Sequence, residues 1–390
     1  MENRTSEEWR SVLDCHAMSS QFIAPYMDEI IRSTEIHPNF ALWSALALLS
    51  SAAGRHYHTA LVNDNDVRDH KYGNLFIIMT SAVTSGRSSA VNEARYHVPT
   101  DILLADPNNF DDFKVRIKEA ARRSIGVYVP EIKYLFDGTK SRDGLKVQMI
   151  DGFDCRGTSR RHAETLFHDV CLTFLAASHV NELHEIFEGE WNHGITARSI
   201  MVWGDGLNIH SHHVRDPQKS DMLRDWLHNL YIVARNQFVP FSADARKFFI
   251  DLRIEKLKKT PPHTFMDSYW HSRYILVMKL AMLSALDFGR LEIVVDDVKR
   301  ANMWLEETED NLDKIFQHIP NNPFRAAQIA VIRWMKDFGK PVPEHDIKRK
   351  LGNQVSSDKV DKVFMDMLAC NMIERTEIDT AISANFFRAV

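Results

Sequence analysis

The chain has 390 residues, 44% hydrophobic and 26% charged, with a formal net charge of −5, so it is too long for one ordinary core and too acidic to coat nucleic acid uniformly. About two or three domains are expected, with local basic patches still allowed. The four cysteines, Cys15, Cys155, Cys171 and Cys370, show no CxxC spacing, which speaks against a zinc ribbon or a disulfide framework and for reduced thiols. No apolar run approaches the roughly 18 residues of a membrane span, and no charged-then-apolar leader opens the chain, so a cytoplasmic location without a membrane partner is expected.

Residues 1–70 read as an N-terminal helical segment. Residues 8–32 carry apolar positions at three- and four-residue spacing, and Pro38-Asn39 introduces residues 40–53, apolar enough for a buried helix. A parallel α/β core is expected over residues 71–219. Its first strand is the apolar run 75–79, and a helical pattern opens at residue 90.

Between that strand and helix lies a near-match to the phosphate-loop motif GxxxxGK[ST]. The register places Ser81 at the first glycine, Gly86 at the second, Arg87 at the lysine and Ser88 at the metal-binding hydroxyl, flanked by Ser85 and Ser89. A forked guanidinium is larger and less mobile than a point-charge ammonium, so Arg87 is not a conservative replacement. The plain alternative is a serine-rich turn with a solvated arginine at a helix start.

Residues 110–123 predict an amphipathic helix, and 124–136 (SIGVYVPEIKYLF) a buried strand ending at Pro130-Glu131. A nucleotide-hydrolysing site wants an acidic pair there, one carboxylate to hold Mg²⁺ and one to orient water. Pro130 occupies the metal-holding position, and Asp137, Asp151 or Asp154 are the nearby substitutes. Residues 170–177 predict a strand ending at Ser178-His179, and 199–203 a further strand after Arg198. Strands alternating with helices, with polar residues at strand ends, form the pattern of a parallel sheet with its site at the carboxyl edge.

Beyond residue 220 the strand signals stop. Residues 221–234, 242–259, 268–287 and 296–318 predict the helices of a domain spanning 220–319, and the prolines and asparagines of 319–323 mark a domain boundary. Residues 324–390 then predict three short helices and a small β-wing, a winged-helix arrangement. Within 324–375 ten Lys/Arg stand against seven Asp/Glu, so a role in gripping DNA and a role in protein packing both stay open.

Four segments together, NLFIIMTSAVTSGRSS, GVYVPEIKYLF, LTFLAASHVNELHEIF and GITARSIMVW, resemble the helicase-like P-loop ATPases that phages, plasmids and mobile elements encode beside or fused to primases. That family is related to AAA+ and superfamily-three helicases, and the likeness covers about residues 20–320, including the helix SRYILVMKLAMLSAL. It implies ATP and Mg²⁺ as cofactors, DNA as partner and a homo-oligomeric ring, usually of six subunits, acting in replication or another DNA transaction. It also implies Glu131 as the water-orienting base, Ser178 as a polar sensor, Arg198 as an arginine finger offered to the neighbouring subunit and Arg273 as a second sensor. Ser81, Arg87 and Pro130 depart from the family pattern where it touches phosphate or metal. The alternative is therefore a pseudo-ATPase, a structural or DNA-binding scaffold without turnover.

Arg156, Arg160 and Arg161, with Lys140, Arg142 and Lys146 nearby, are candidates to line a ring channel and meet the phosphate backbone, against the reading of an ordinary exposed loop. Lys359 and Lys362 are the corresponding candidates on the third helix of the winged-helix segment. The run His210-Ser211-His212-His213 lacks the spacing and partners of a zinc site and reads as a solvated loop, so no metal ligands are assigned.

Overall fold

In the computed structural model the described residues are 20–61, 70–99, 102, 104–105, 112–113, 115, 123–136, 142–155, 170–187, 194–209, 215–261, 266–316, 325–369, 372–376 and 386–389. They fall into two units, Met1–His318 and Ile319–Val390. The helices before and after the sheet thus share one compact unit with it instead of standing as separate domains.

The first unit opens with α1 (Ile23–Ser33) and α2 (Pro38–Ala53). Nearly every residue of α2 is buried, which explains its lack of a polar stripe. Short strands β1 (Tyr57–Thr59) and β2 (Lys71–Tyr72) follow, then β3 (Phe76–Ser81), α3 (Arg87–His97), β4 (Leu104–Ala105) and β5 (Ser124–Val129). After α4 (Lys133–Phe136) and α5 (Arg142–Phe153) come β6 (Cys171–His179), α6 (Val180–Ile186) and β7 (Ser199–Trp203).

The main sheet runs β4-β5-β6-β3-β7, and every pairing in it is parallel. Four strands are long, and β4 is a two-residue edge. Residues of β3 are buried throughout, as a central parallel strand with both faces covered requires, so its sequence is a continuous apolar run without alternation.

Two expectations need correction. Residues 1–70 are not all helical, and strand structure does not stop at 220: β1 pairs antiparallel with β2 and parallel with β8 (Gln237–Phe238) in a second, three-stranded sheet. Strands of two or three residues are too short to leave a periodic signal and exist only because tertiary pairing satisfies their backbones. The predicted helix over 296–318 is also broken, into α10 (Val295–Glu309) and α11 (Leu312–Phe316). The remaining helices are α7 (Pro217–Ala234), α8 (Ala243–Leu257) and α9 (Asp267–Asp287), the first two capped by Asp216 and Ser242 side chains. Most of the predicted helix 110–123 lies outside the described residues.

A buried polar hub ties α9 to the amino edge of the sheet. Lys279 Nζ donates to Asn74 Oδ1 (2.6 Å), Asn74 O (3.0 Å) and Phe153 O (3.3 Å), and sits 3.8 Å from the centroid of the Phe153 ring. Asn74 Nδ2 donates in turn to Phe153 O and Leu172 O, both at 2.9 Å. Next to it Leu75 N donates to Ser50 Oγ, which bonds Thr173 Oγ1. At the far end of α9, Asp287 Oδ1 accepts from Phe22 N and Ile23 N, so a residue from the other end of the unit caps α1.

The second unit runs α12 (Arg325–Phe338), β9 (Val342–Pro343), α13 (Glu344–Gly352), α14 (Val360–Ala369), β10 (Ile373–Thr376) and β11 (Phe386–Ala389). Its three strands form an antiparallel sheet in the order β10-β11-β9. Val331, Ile347, Leu351, Val363, Met367 and Phe387 make its core.

Burial drives the pKa of Lys279 down to about 8. Between pH 8 and the unfolded value near 10.4 the unfolded chain holds a proton that the folded chain has released, so stability rises with pH across that window. Urea unfolding at pH 8 and pH 10 should show this rise, and Lys279→Met should flatten it while lowering stability at both values.

Candidate functional site

Because the sheet is parallel, the carboxyl ends of β3, β5, β6 and β7 share one edge, where α/β proteins place their ligands. The predicted strand, loop and helix are all present there: β3 ends at Ser81, α3 begins at Arg87, and Gly86 between them has φ +75°. A Cβ on Gly86 would lie 3.0 Å from the Ile36 backbone, so both conformation and space demand glycine. His37 N donates to Ser85 O, so the α1–α2 connection braces the loop from outside. His37 also caps α2 by accepting from Asn39 N, and burial keeps its ring neutral with a pKa down to about 4.

The loop is closed on itself. Arg87 Nη1 donates to Ser81 Oγ at 2.7 Å and to Val83 O at 3.3 Å, and Ser85 Oγ donates to Ser81 Oγ at 2.8 Å. Ser81 Oγ passes its own proton to Val83 O at 2.6 Å. The Arg87 guanidinium therefore folds back over the turn between β3 and α3. Ser88 Oγ donates to Pro130 O at 3.0 Å, which fastens the start of α3 to the end of β5. Ser89 is exposed and Ser85 buried. Glu131 is exposed just beyond Pro130, and Ile132 N donates to Ala177 O, which sets the end of β5 beside β6.

Ser178 and His179 divide the end of β6 between them. Ser178 is 2% exposed, and its hydroxyl donates to His179 O instead of reaching the loop. His179 is the residue that meets the loop: Nδ1 accepts from Asn181 N, and Nε2 lies 3.1 Å from Ala82 O. The neutral tautomer with its proton on Nε2 satisfies both contacts. Alternation along the strand, which puts residue 179 level with Ser81 on β3, is the signal that would have singled it out.

Other predicted residues lie elsewhere. Arg198 precedes β7 and so stands at the amino edge, a strand length of about 16 Å from the carboxyl edge. It donates to Gly194 O (3.1 Å) and pairs with Asp154 Oδ2 (3.3 Å), half-exposed beside a cavity of about 230 Å³ lined also by Phe153, Ala197, Ser272 and Leu276. Asp154 is thereby committed at the edge opposite Ser88. Arg273 is 3% exposed in α9, bonded to Glu309 Oε1 (2.5 Å) and Asn302 Oδ1 (2.9 Å), while Tyr269 donates to the same Glu309 oxygen. Lys146, read as a channel residue, is buried with Nζ directed to Ile186 O, so it does not line an open surface. Arg156, Arg160, Arg161 and the histidine run 210–213 lie outside the described residues.

Among the described residues no cluster of three or more His, Cys, Asp or Glu side chains could hold a metal ion. Around the loop, Ser88 Oγ is bonded to the Pro130 backbone carbonyl, and Glu131 follows it, exposed. Cys155 and Cys171 are buried free thiols. No described helix is long and apolar enough to cross a membrane.

Arg273→Ala should cost roughly 3–5 kcal/mol, because it strands Glu309 in the interior with half its partners gone. Urea unfolding measures this. A sensor arginine would show the reverse pattern, with stability kept and nucleotide response changed.

No protein-family model matches this chain, and no curated protein matches it.

Proposed function

We propose that the first unit is a degenerate P-loop core of the AAA+ and helicase-like kind that does not turn over ATP and serves a DNA transaction of a phage or other mobile element. The observation that carries this reading is the occupation of the loop by its own side chains: Arg87 bonded to Ser81 Oγ and Val83 O, and Ser88 bonded to Pro130 O. Phosphoryl transfer is catalysed almost wholly by positioning and charge stabilisation. Losing the mobile ammonium and the metal-holding carboxylate together removes two contributions to one transition state. The all-parallel sheet, with the loop strand β3 between β6 and β7, is compatible with the reading.

Steady-state ATPase of the native chain should stay at background with Mg²⁺ present, and Glu131→Gln and Arg198→Ala should leave that background unchanged. Robust turnover lost in both variants would overturn the proposal and restore an active ring ATPase with Arg198 acting in trans, which requires Arg198 to leave Asp154.

The second unit supports a winged-helix reading through its helix-strand-helix-helix-strand-strand order and three-stranded antiparallel sheet. Lys359, in the 3-10 turn just before α14, and Lys362, in its first turn, are exposed where they would meet phosphates. Neutralising both (Lys359→Gln, Lys362→Gln) should weaken duplex binding and reduce the salt dependence, d log K/d log[salt], by about two. Unchanged affinity and slope would assign this unit to protein contacts.

A further inference from the structure

The small sheet β2-β1-β8 carries a feature that the phosphate-loop reading does not use. His58 is the direct cross-strand partner of Tyr72 on one side and of Phe238 on the other. Directly paired residues point to the same face. The flanking Tyr57 and Thr59 are fully buried on the opposite face, which leaves Tyr72, His58 and Phe238 half-buried in a row across the outer one. Ring centroids of neighbours in the row are 5.9 and 5.6 Å apart, and His70 extends the group, 4.5 Å from His58 and 6.0 Å from Phe238. Cations stand along its margin. Arg55 lies 5.4 Å over the Tyr72 ring, and the exposed Arg235 shortly precedes β8.

We propose that this aromatic row is a stacking platform for single-stranded nucleic acid. A sheet face carrying neighbouring rings offers unpaired bases a π-surface whatever their identity, and the marginal arginines supply phosphate contacts. A duplex keeps its bases stacked inside and gains nothing from such a row. The site is independent of the phosphate loop and stands whether or not that loop takes a nucleotide.

The test is fluorescence anisotropy of the full chain with labelled oligodeoxythymidylate of about 20 nucleotides, a length that exceeds single-module site sizes. Oligouridylate and a duplex of equal length are the comparison arms. Thymidylate should bind more tightly than the duplex, and the uridylate arm tells whether the platform separates DNA from RNA. Tyr72→Ala and Phe238→Ala should each weaken thymidylate binding about tenfold, while Tyr72→Phe keeps the affinity. Phe238→Trp supplies a readout that needs no truncation: the added indole emission, taken as the difference from the native chain, should be quenched at saturating oligonucleotide. No binding to either single strand, native affinity in folded alanine variants, or an unquenched Trp would each overturn the proposal.

Discussion

The ammonium of Lys279 has no water to turn to, and the arrangement of the first unit depends on what it finds instead. Three carbonyl-type oxygens from Asn74 and Phe153, and the face of the Phe153 ring, replace its hydration shell. Burying an unpaired charge is costly, so these partners must be held in place. Asn74 stays put because its own amide spans the carbonyls of Phe153 and Leu172. One side chain from α9 thereby fixes the end of α5, the start of β6 and the approach to β3. The helices that follow the sheet are locked to its amino edge, and the carboxyl edge is left for chemistry.

The carboxyl edge carries a tight turn that its own side chains hold. The length of the loop, the left-handed Gly86 and the start of α3 are what a phosphate cradle uses. Arg87 is long enough to fold back and satisfy Ser81 and Val83, a geometry open to a forked donor with several N–H groups. The Pro130 backbone carbonyl accepts a hydrogen bond from Ser88 Oγ, and the proline side chain brings no carboxylate. Ser81, Arg87 and Ser88 thereby all find hydrogen-bond partners within the protein.

Much of this was legible in the sequence. The strand at Phe76–Ser81, the loop, the end of β5 at Pro130-Glu131, the last strand and the three helices and two closing strands of the second unit all follow from apolar runs and turn residues, whereas β9 does not. Those signals are local and strong: continuous apolar stretches for doubly covered strands, Gly and Pro at the breaks. The departures at Ser81, Arg87 and Pro130 were also visible as residue identities.

What only the tertiary structure decided is where long side chains and short strands find partners. Arg273 reads equally well as a sensor or as an internal ion pair until α10 brings Glu309 to it, and Lys146 reads as basic surface until its stem is buried. Ser178 and His179 are neighbours in sequence, yet the pleat sends one hydroxyl into the interior and the other ring to the loop. The strands Tyr57–Thr59, Lys71–Tyr72 and Gln237–Phe238 carry no period long enough to detect, so their aromatic row exists only through pairing between distant segments. Sequence by itself determined the α/β class of the core and the residue types at the strand ends, because backbone preferences and residue identities are local. The destination of each charged group was decided by tertiary structure, because a buried charge is placed by partners far away in the chain.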